Sequence, residues 1–188
     1  MKKYFALILM LLTIISCKVE QALIFDETNY LYNDNAVVEL NIVKAVSDDA
    51  ISNSINQTIE NHIVNLLNFS KEETQDIPLK EAITNFDSEY KAFKDDFEES
   101  DLIWEATFDA EVTYQSSEVV CIAISSYLNT GGAHGNMNIT FYNFDLSSGN
   151  VLSLNDIVSD IESLTNLAKQ YFEEETKEEE NSETYFFG

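Results

Sequence analysis

The chain has 188 residues, of which 34 are acidic and 10 are basic, and its formal net charge at pH 7 is −24. All of the basic residues are lysines. This balance excludes nucleic acid as a partner, because phosphate binding needs a basic surface that displaces counterions, and it argues against direct docking on anionic lipid. Cationic proteins and divalent cations are the charged partners that fit.

Residues 1–16 have the pattern of an export signal. Lys2 and Lys3 precede an apolar run that is too short to span a hydrocarbon core of about 30 Å. The run ends in Ile14-Ile15-Ser16-Cys17, which resembles a bacterial lipobox and predicts that Cys17 becomes the lipidated first residue of the mature chain. An ordinary signal peptide with a chance cysteine is the alternative. Without Lys2 and Lys3 the net charge of the mature chain is −26.

The signal predicts an extracytoplasmic protein. Lipid on Cys17 would anchor it to a bacterial membrane, with the folded part facing the periplasm or the cell surface, because two or three acyl chains together hold a protein at a bilayer. Residues 17–35 are predicted to be the lipidated cysteine and a tether that leads into the first strand.

A strand and two amphipathic helices are predicted next. Ala36 to Val46 is rich in β-branched residues and predicts a strand. Residues 47–49 offer N-caps for a helix that ends near Leu67, and Pro78 lies in the first turn of a second helix. Apolar residues recur every three or four positions in both helices: Ile51, Ile55, Ile59, Ile63 and Leu66 in the first, and Ile83, Phe86, Tyr90, Phe93 and Phe97 in the second.

His62 lies beside the apolar stripe of the first helix. No second His or Cys lies one turn away, as a chelating pair would need. We therefore expect a hydrogen-bonded or solvent-facing histidine rather than a metal ligand.

Three strands are predicted in the second half of the chain, at about 102–114, 119–128 and 137–144. Residues 102–114 alternate between apolar and polar side chains, which is typical of an antiparallel sheet with one buried face. The predicted fold class is α+β, with an antiparallel meander packed against two to three amphipathic helices. Residues 36–134 are predicted to form an N-terminal α+β domain and residues 135–188 a C-terminal domain. We expect the second domain to be incomplete, because an aromatic run stands at 185–187 where a new strand would begin.

The stretch from Tyr127 to Asp156 contains four of the five glycines and one of the two histidines. Gly131, Gly132 and Gly135 indicate unusual backbone angles or the close approach of another segment. The loop lacks the lysine and the following helix of a phosphate-binding loop. A buried structural loop and an exposed binding loop both fit this pattern.

Three kinds of chemistry can be drawn from this stretch. Ser125 or Ser126, His134 and Asp145 are the residue types of a nucleophilic triad, but the serines lie in a strand rather than in a glycine-flanked elbow. The segment from Asp145 to Asp156 has oxygen-bearing side chains at its ends, but its glycine is misplaced for a calcium loop. A carboxylate pair of the glycosidase type stays open, because acids are abundant throughout. We predict no catalytic residue, no metal ligand and no cofactor.

One motif supports a family resemblance. It comprises a tyrosine, a TGGAH segment, an aromatic-Asn-aromatic-Asp segment, a turn glycine and Leu-x-Asp, which here are Tyr127, Thr130 to His134, Tyr142 to Asp145, Gly149, Leu154 and Asp156. The motif resembles the paired extracytoplasmic domains of unknown function in RsiV-type lysozyme-sensing anti-sigma factors. Similar domains form the non-catalytic part of PdaC-type peptidoglycan deacetylases.

The resemblance implies a lipid-anchored module of the cell envelope that binds or senses a ligand without catalysis. The implied ligand is a cationic protein such as lysozyme, or a peptidoglycan fragment, and the candidate binding residues are Tyr127, Thr130, Gly131, Gly132, His134 and Asp145. It also implies that the family's later region continues past Gly188, so we expect a C-terminally truncated chain. The alternatives are a wall-glycan hydrolase or deacetylase that uses acids and His134, and a purely structural envelope lipoprotein.

Overall fold

The computed structural model describes residues 22–68 and 77–181, with the side chains of 177–181 excepted. The predicted signal peptide and Cys17 lie outside the described residues. The described residues divide into two compact units, which lie within residues 1–150 and 151–188. The domain boundary expected after His134 falls in the turn between two strands of the first unit.

Five strands and two long helices make up the described part of the first unit. In chain order they are β1 (Phe25–Asn33), β2 (Val37–Ala45), α1 (Ala50–Leu67), α2 (Leu79–Asp96), β3 (Glu105–Gln115), β4 (Val119–Asn129) and β5 (Asn136–Asp145). The strands form one sheet in the order β1-β2-β3-β4-β5. Three of the four pairings are antiparallel, which confirms the α+β class and the predicted meander of β3, β4 and β5.

The pairing of β2 with β3 is parallel, from Val37 beside Glu105 to Asn41 beside Asp109. The reason lies in the connection, because α1 and α2 both lie between these strands in the chain. A parallel pair needs a crossover of a dozen or more residues, and the helices supply it.

The core lies between the two helices and one face of the sheet. Ile55, Ile59 and Ile63 of α1 are buried as predicted, and they share the core with Phe108 of β3 and Phe144 of β5. Asp49 is the N-cap of α1, where its carboxylate accepts a hydrogen bond from the Ser52 amide at 2.7 Å.

Residues 25–33 correct the expectation of a tether over 17–35, because they form β1. The strand pairs antiparallel with β2 from Phe25 beside Ala45 to Asn33 beside Val37. It lies at the edge of the sheet and is mostly exposed. An exposed edge strand does not need the apolar alternation by which strands are predicted, so its mixed composition hides it.

The carboxylate of Asp87 in α2 holds the turn between β1 and β2. It accepts hydrogen bonds from the Asn35 and Ala36 amides at 2.9 and 2.8 Å and from Asn35 Nδ2 at 2.8 Å. Burial alone would raise the pKa of Asp87, but these donors together with the Tyr32 hydroxyl lower it overall. A buried charge with this many donors fixes the turn to the helix.

The helix α2 begins after Pro78, which is its N-cap. Ile83, Phe86 and Tyr90 are buried, in agreement with the predicted stripe. Phe97 differs from the prediction, because it lies just past the end of the helix and is 57% exposed.

The second unit contains α3 (Leu154–Ile157) and α4 (Ile161–Asn181). Ser153 and Asp156 form a capping box around α3. At the start of α4 the Ser163 amide donates to the Asp160 carboxylate at 2.9 Å. Among the helices of the described residues, none is both long and apolar enough to cross a membrane.

Candidate functional site

The glycine loop, residues 130–135, is the turn that joins β4 to β5. Gly131 has a positive φ of 95°, and a Cβ there would lie 3.6 Å from Phe93 and 3.7 Å from Trp104. Those rings belong to an aromatic cluster around Trp104, whose ring centre lies 5.5 Å from that of Phe93. One side of the loop is therefore packed against the aromatic end of α2.

The other side of the loop is more open. His134 is exposed, and its Nδ1 donates to the carbonyl oxygen of Gly135 at 3.0 Å. Gly132 is exposed as well, and a Cβ there would have a single ordinary contact at 3.6 Å. Thr130 and Tyr127 are half-buried. The structure thus brings together five of the six predicted binding residues: Tyr127, Thr130, Gly131, Gly132 and His134.

The sixth predicted residue, Asp145, lies at the opposite end of β5. Ten residues separate the two ends of that strand, which is about 30 Å at the usual rise per residue. Asp145 accepts hydrogen bonds from the Ser147 amide at 2.7 Å and from the Ser148 hydroxyl at 3.1 Å. These bonds lower the pKa of Asp145 and fix the turn that follows the strand.

This separation rules out the triad of Ser125 or Ser126, His134 and Asp145. The two acidic residues at the ends of the predicted calcium loop are also engaged in local structure. Asp145 accepts hydrogen bonds within its own turn, and Asp156 belongs to the capping box. Throughout 22–68 and 77–181, no group of three or more His, Cys, Asp or Glu side chains is placed to hold a metal ion.

Ser126 does have a histidine partner, but it is His62 rather than His134. The Nε2 of His62 lies 3.2 Å from Ser126 Oγ, and its Nδ1 lies 3.0 Å from the Tyr142 hydroxyl. The His62 and Tyr142 rings meet edge to face at 5.7 Å. The expectation that His62 is hydrogen bonded is confirmed.

The Ser126–His62–Tyr142 network has a nucleophile, a base and an orienting group in sequence. Burial lowers the pKa of His62, so the neutral imidazole that a general base requires is favoured. Ser126 is only 2% exposed, however, beneath the helix that carries His62. A substrate carbonyl has no path to its Oγ in this conformation, so the network acts as a buried polar clamp between α1 and β4–β5.

The sequence pattern does not predict this network, because its three residues are 16 to 80 positions apart in the chain. One signal was present in the alternation of β4, where Val120, Ile122 and Ile124 fill the core and Ser126 takes the next core position. A hydroxyl at a core position needs a hydrogen-bond partner. A histidine beside the apolar stripe of α1 was an available one.

The face of the sheet that points away from α1 and α2 carries a second candidate site. We call it the open face. The strand pairings define its cross-strand rows: Glu39, Thr107, Tyr127 and Met137; Asn41, Asp109, Ser125 and Ile139; and Glu111, Ala123 and Phe141. Adjacent strands lie about 4.8 Å apart, so each row spans roughly 10–15 Å.

The exposed side chains of the open face are acidic on β2 and β3 and apolar on β5. The β2 and β3 positions include the exposed acids Glu39, Asp109 and Glu111. The β5 positions are Met137, Ile139 and Phe141, which are 73%, 53% and 64% exposed. An acidic half and an apolar half therefore lie side by side. A depression of ≈ 390 Å³ in the acidic half has Glu27, Asn41, Asp109, Glu111 and Ser125 among its lining residues.

Residues 32–137 match a family model, the one described as Deacetylase PdaC. The chain belongs to this family. The matched PdaC segment contains β2, α1, α2, β3, β4 and the glycine loop, and it ends at the second residue of β5. No curated protein matches the chain.

Solved structures that are similar to this chain include a member of the DUF3298 family from Bacteroides fragilis. It has a TM-score of 0.66 and 21% sequence identity, over 85% of this chain and 71% of that chain. A DUF3298 family protein from Pseudomonas aeruginosa has a TM-score of 0.47 and 22% identity, over 74% of this chain and 59% of that chain. The first of these likenesses shows the fold.

The PdaC match divides the candidate residues. Tyr127, the glycine loop, His62 and Ser126 lie inside the matched segment, whereas Tyr142 and Asp145 lie beyond it. The open face is built from both parts, because its acids on β2 and β3 and Met137 lie inside the matched segment, whereas Ile139 and Phe141 lie beyond it.

Proposed function

We propose that this PdaC-type domain is a lipid-anchored, extracytoplasmic module that binds a cationic protein, such as lysozyme, without catalysis. The observation that carries the proposal is the open face, where exposed acids of β2 and β3 share cross-strand rows with exposed apolar residues of β5. The predicted candidate Tyr127 lies in the row of this face that contains Glu39 and Met137.

An apolar patch beside a charged patch is the usual composition of a protein-binding surface. The apolar centre of an interface supplies affinity by desolvation, and the surrounding polar rim supplies specificity. Met137, Ile139 and Phe141 form an exposed apolar patch with acidic residues beside it, and exposed apolar patches with polar rims are typical of protein-interaction sites. A mature chain of net charge −26 steers a cationic partner toward this surface.

The location of the module is supported by two features. Members of the family are typically extracellular. Residues 1–17 have an export pattern that ends in a lipobox-like cysteine. The proposed anchor is lipid on Cys17, which would hold the open face close to a membrane where secreted cationic proteins arrive.

Catalysis has weaker support. The family description names a deacetylase, but the Ser-His pair of this chain is buried and His134 lies about 30 Å from Asp145. The hypothesis of deacetylase activity is therefore supported only by the name of the matching family. This hypothesis is tested by measuring whether the mature chain deacetylates acetylated peptidoglycan. If it does, and if His134→Ala abolishes the activity, the enzymatic function would replace the binding proposal.

The binding proposal is tested by calorimetric titration of the mature chain, with Cys17→Ser to prevent lipidation, against hen egg-white lysozyme. We expect binding at about 0.02 M salt that weakens at about 0.5 M, because the Debye length shortens from roughly 20 Å to roughly 4 Å. Phe141→Ser should weaken binding about tenfold or more, as expected when an apolar anchor is removed.

Two matched controls locate the surface. Phe97→Ser removes another exposed aromatic ring, just past the end of α2 and outside the cross-strand rows of the open face, and should leave the dissociation constant unchanged. Glu111→Gln should weaken binding more than Glu98→Gln, since only Glu111 is on the open face. Absence of binding to lysozyme at low salt, with or without binding of muropeptides, would contradict the proposal.

A further inference from the structure

A cleft lies on the helix side of the sheet, between the β1–β2 edge and the helices α1 and α2. Its volume is ≈ 420 Å³, which is within the range of small-molecule sites. The walls are mainly aliphatic and come from Leu40 and Ile42 of β2, Ile59 of α1, and Leu79 and Ile83 of α2. This cleft takes no part in the binding surface described above, which is on the other face of the sheet.

More lysines than acids line the cleft, although the chain as a whole is strongly acidic. Lys44 and Lys80 both line it, together with Glu60. Only five lysines have described side chains, so two of the five meet at one aliphatic cleft in a strongly acidic protein. Both are exposed, so their ammonium groups are free to turn toward a ligand headgroup. The two lysines and Glu60 leave a local net charge of +1.

Asn56 also lines the cleft, but its amide is already used. Its Oδ1 accepts from the Ala45 amide at 2.8 Å, and its Nδ2 donates to the Ala45 carbonyl at 3.0 Å. This pair of bonds fixes the end of β2 to α1 and keeps Lys44, the neighbouring residue, at the rim of the cleft. The fold therefore sets the backbone position of Lys44, while its exposed side chain stays free to turn toward a ligand.

We propose that the cleft binds a long-chain fatty acid, with its alkyl chain against the aliphatic walls and its carboxylate between Lys44 and Lys80. Apolar walls with a few charged groups at the rim are the pattern of a site for an amphiphile. A volume of ≈ 420 Å³ accommodates one alkyl chain rather than two. A local charge of +1 matches a single carboxylate, whereas a dianionic phosphate would be left with an unpaired charge near Glu60.

The test is displacement of a dansyl-labelled fatty acid from the mature chain with Cys17→Ser, at about 0.15 M salt, where the Debye length is about 8 Å and distant acids are screened. Palmitate is expected to displace the probe at a concentration at least about fivefold lower than hexadecanol, because the alcohol lacks the charge. Palmitate should also outcompete hexadecyl phosphate.

Variants distinguish this cleft from nonspecific apolar binding. Lys44→Gln and Lys80→Gln should each weaken palmitate binding about threefold to fivefold, and Glu60→Gln should strengthen it. The exposed Lys91→Gln on α2 is the matched control and should have no effect. Thr28→Trp, at the exposed rim of the cleft, should block the probe, whereas Thr113→Trp on the exposed surface of β3 should not.

Equal displacement by palmitate and hexadecanol would overturn the proposal. So would an unchanged affinity in Lys44→Gln and Lys80→Gln, or the absence of probe binding to the unsubstituted protein. Because these variants lie on the helix side of the sheet, lysozyme binding by Lys80→Gln reports separately on the open face, and the two proposals fail independently.

Discussion

The ring of Tyr127 lies directly over Gly135. A Cβ added to Gly135 would lie 2.4 Å from the Tyr127 hydroxyl oxygen and 2.4 Å from ring carbon Cε2, inside the limit of any real contact. Tyr127 is on β4 and Gly135 immediately precedes β5, so the contact joins the two ends of the glycine loop. The tyrosine and the last glycine of the loop are therefore one structural unit.

Gly135→Ala should destabilise the protein by about 1–3 kcal/mol, because the methyl group forces Tyr127 out of its position. Gly132→Ala is the control and should change the free energy of unfolding by less than about 0.5 kcal/mol, since its Cβ has one ordinary contact. Urea denaturation of the mature chain measures both. Equal effects of the two substitutions would show that loop flexibility, rather than the Tyr127 contact, explains the glycine.

Asp87→Asn should destabilise the protein by about 2–3 kcal/mol. The amide that replaces one carboxylate oxygen would face the donors of Asn35 and Ala36 instead of accepting from them. Asp34→Asn, in the exposed part of the same turn, is the control and should be nearly neutral. A small effect of Asp87→Asn would mean that the turn is held by β1–β2 pairing alone.

The same carboxylate predicts part of the acid unfolding. Because the pKa of Asp87 is lower in the folded state than in the unfolded state, its stabilisation is complete above the unfolded pKa of about 3.9. It is lost as the pH falls through the lowered pKa. Below about pH 4 the unfolding free energy of the unsubstituted chain should therefore decline more steeply than that of Asp87→Asn. Parallel curves would contradict this assignment.

His62 predicts a second pH dependence, in a different window. Burial lowers its pKa, so the unfolded state binds a proton that the folded state resists. The contribution of His62 to the free energy of unfolding is complete above the unfolded pKa of about 6.5, and it falls as the pH decreases toward the lowered pKa. His62→Gln should remove this decline, whereas His134→Gln should keep it, because the His134 ring is exposed. A decline that follows His134 instead would be the contrary result.

The two faces of β5 predict opposite outcomes for two nearby phenylalanines. Phe144 is fully buried and Phe141 is 64% exposed on the open face. Phe144→Ser should cost about 3–5 kcal/mol. Phe141→Ser should cost less than about 1 kcal/mol and raise the concentration at which the chain aggregates, because it removes an apolar group from an edge strand. Circular dichroism and light scattering measure the two effects.

The parts of the fold that were predicted are those with a strong local pattern. The apolar spacing of Ile55, Ile59 and Ile63 identified α1, and the alternation around Ala106 and Phe108 identified β3. Both patterns arise because one side of each element is buried, and burial of one side is visible in a single segment of sequence.

The parts that were missed depend on contacts between distant segments. β1 is held by its pairing with β2 rather than by its own composition, and the parallel β2–β3 pair follows from the path of the chain through α1 and α2. The same is true of the site. The motif residues Tyr127 and His134 were found, but the separation of Asp145 and the partnership of Ser126 with His62 appear only once the strands are aligned.

Amide chemical-shift mapping tests most directly whether the open face is the binding surface. In this measurement, unlabelled lysozyme is added to the ¹⁵N-labelled mature chain with Cys17→Ser at low salt. We expect the largest shifts at Met137, Ile139 and Phe141 of β5 and at Asp109 and Glu111 of β3, with little change in α1 and α2. Shifts that concentrate on the two helices, or no shifts at any lysozyme concentration, would contradict the assignment of the open face as the binding surface.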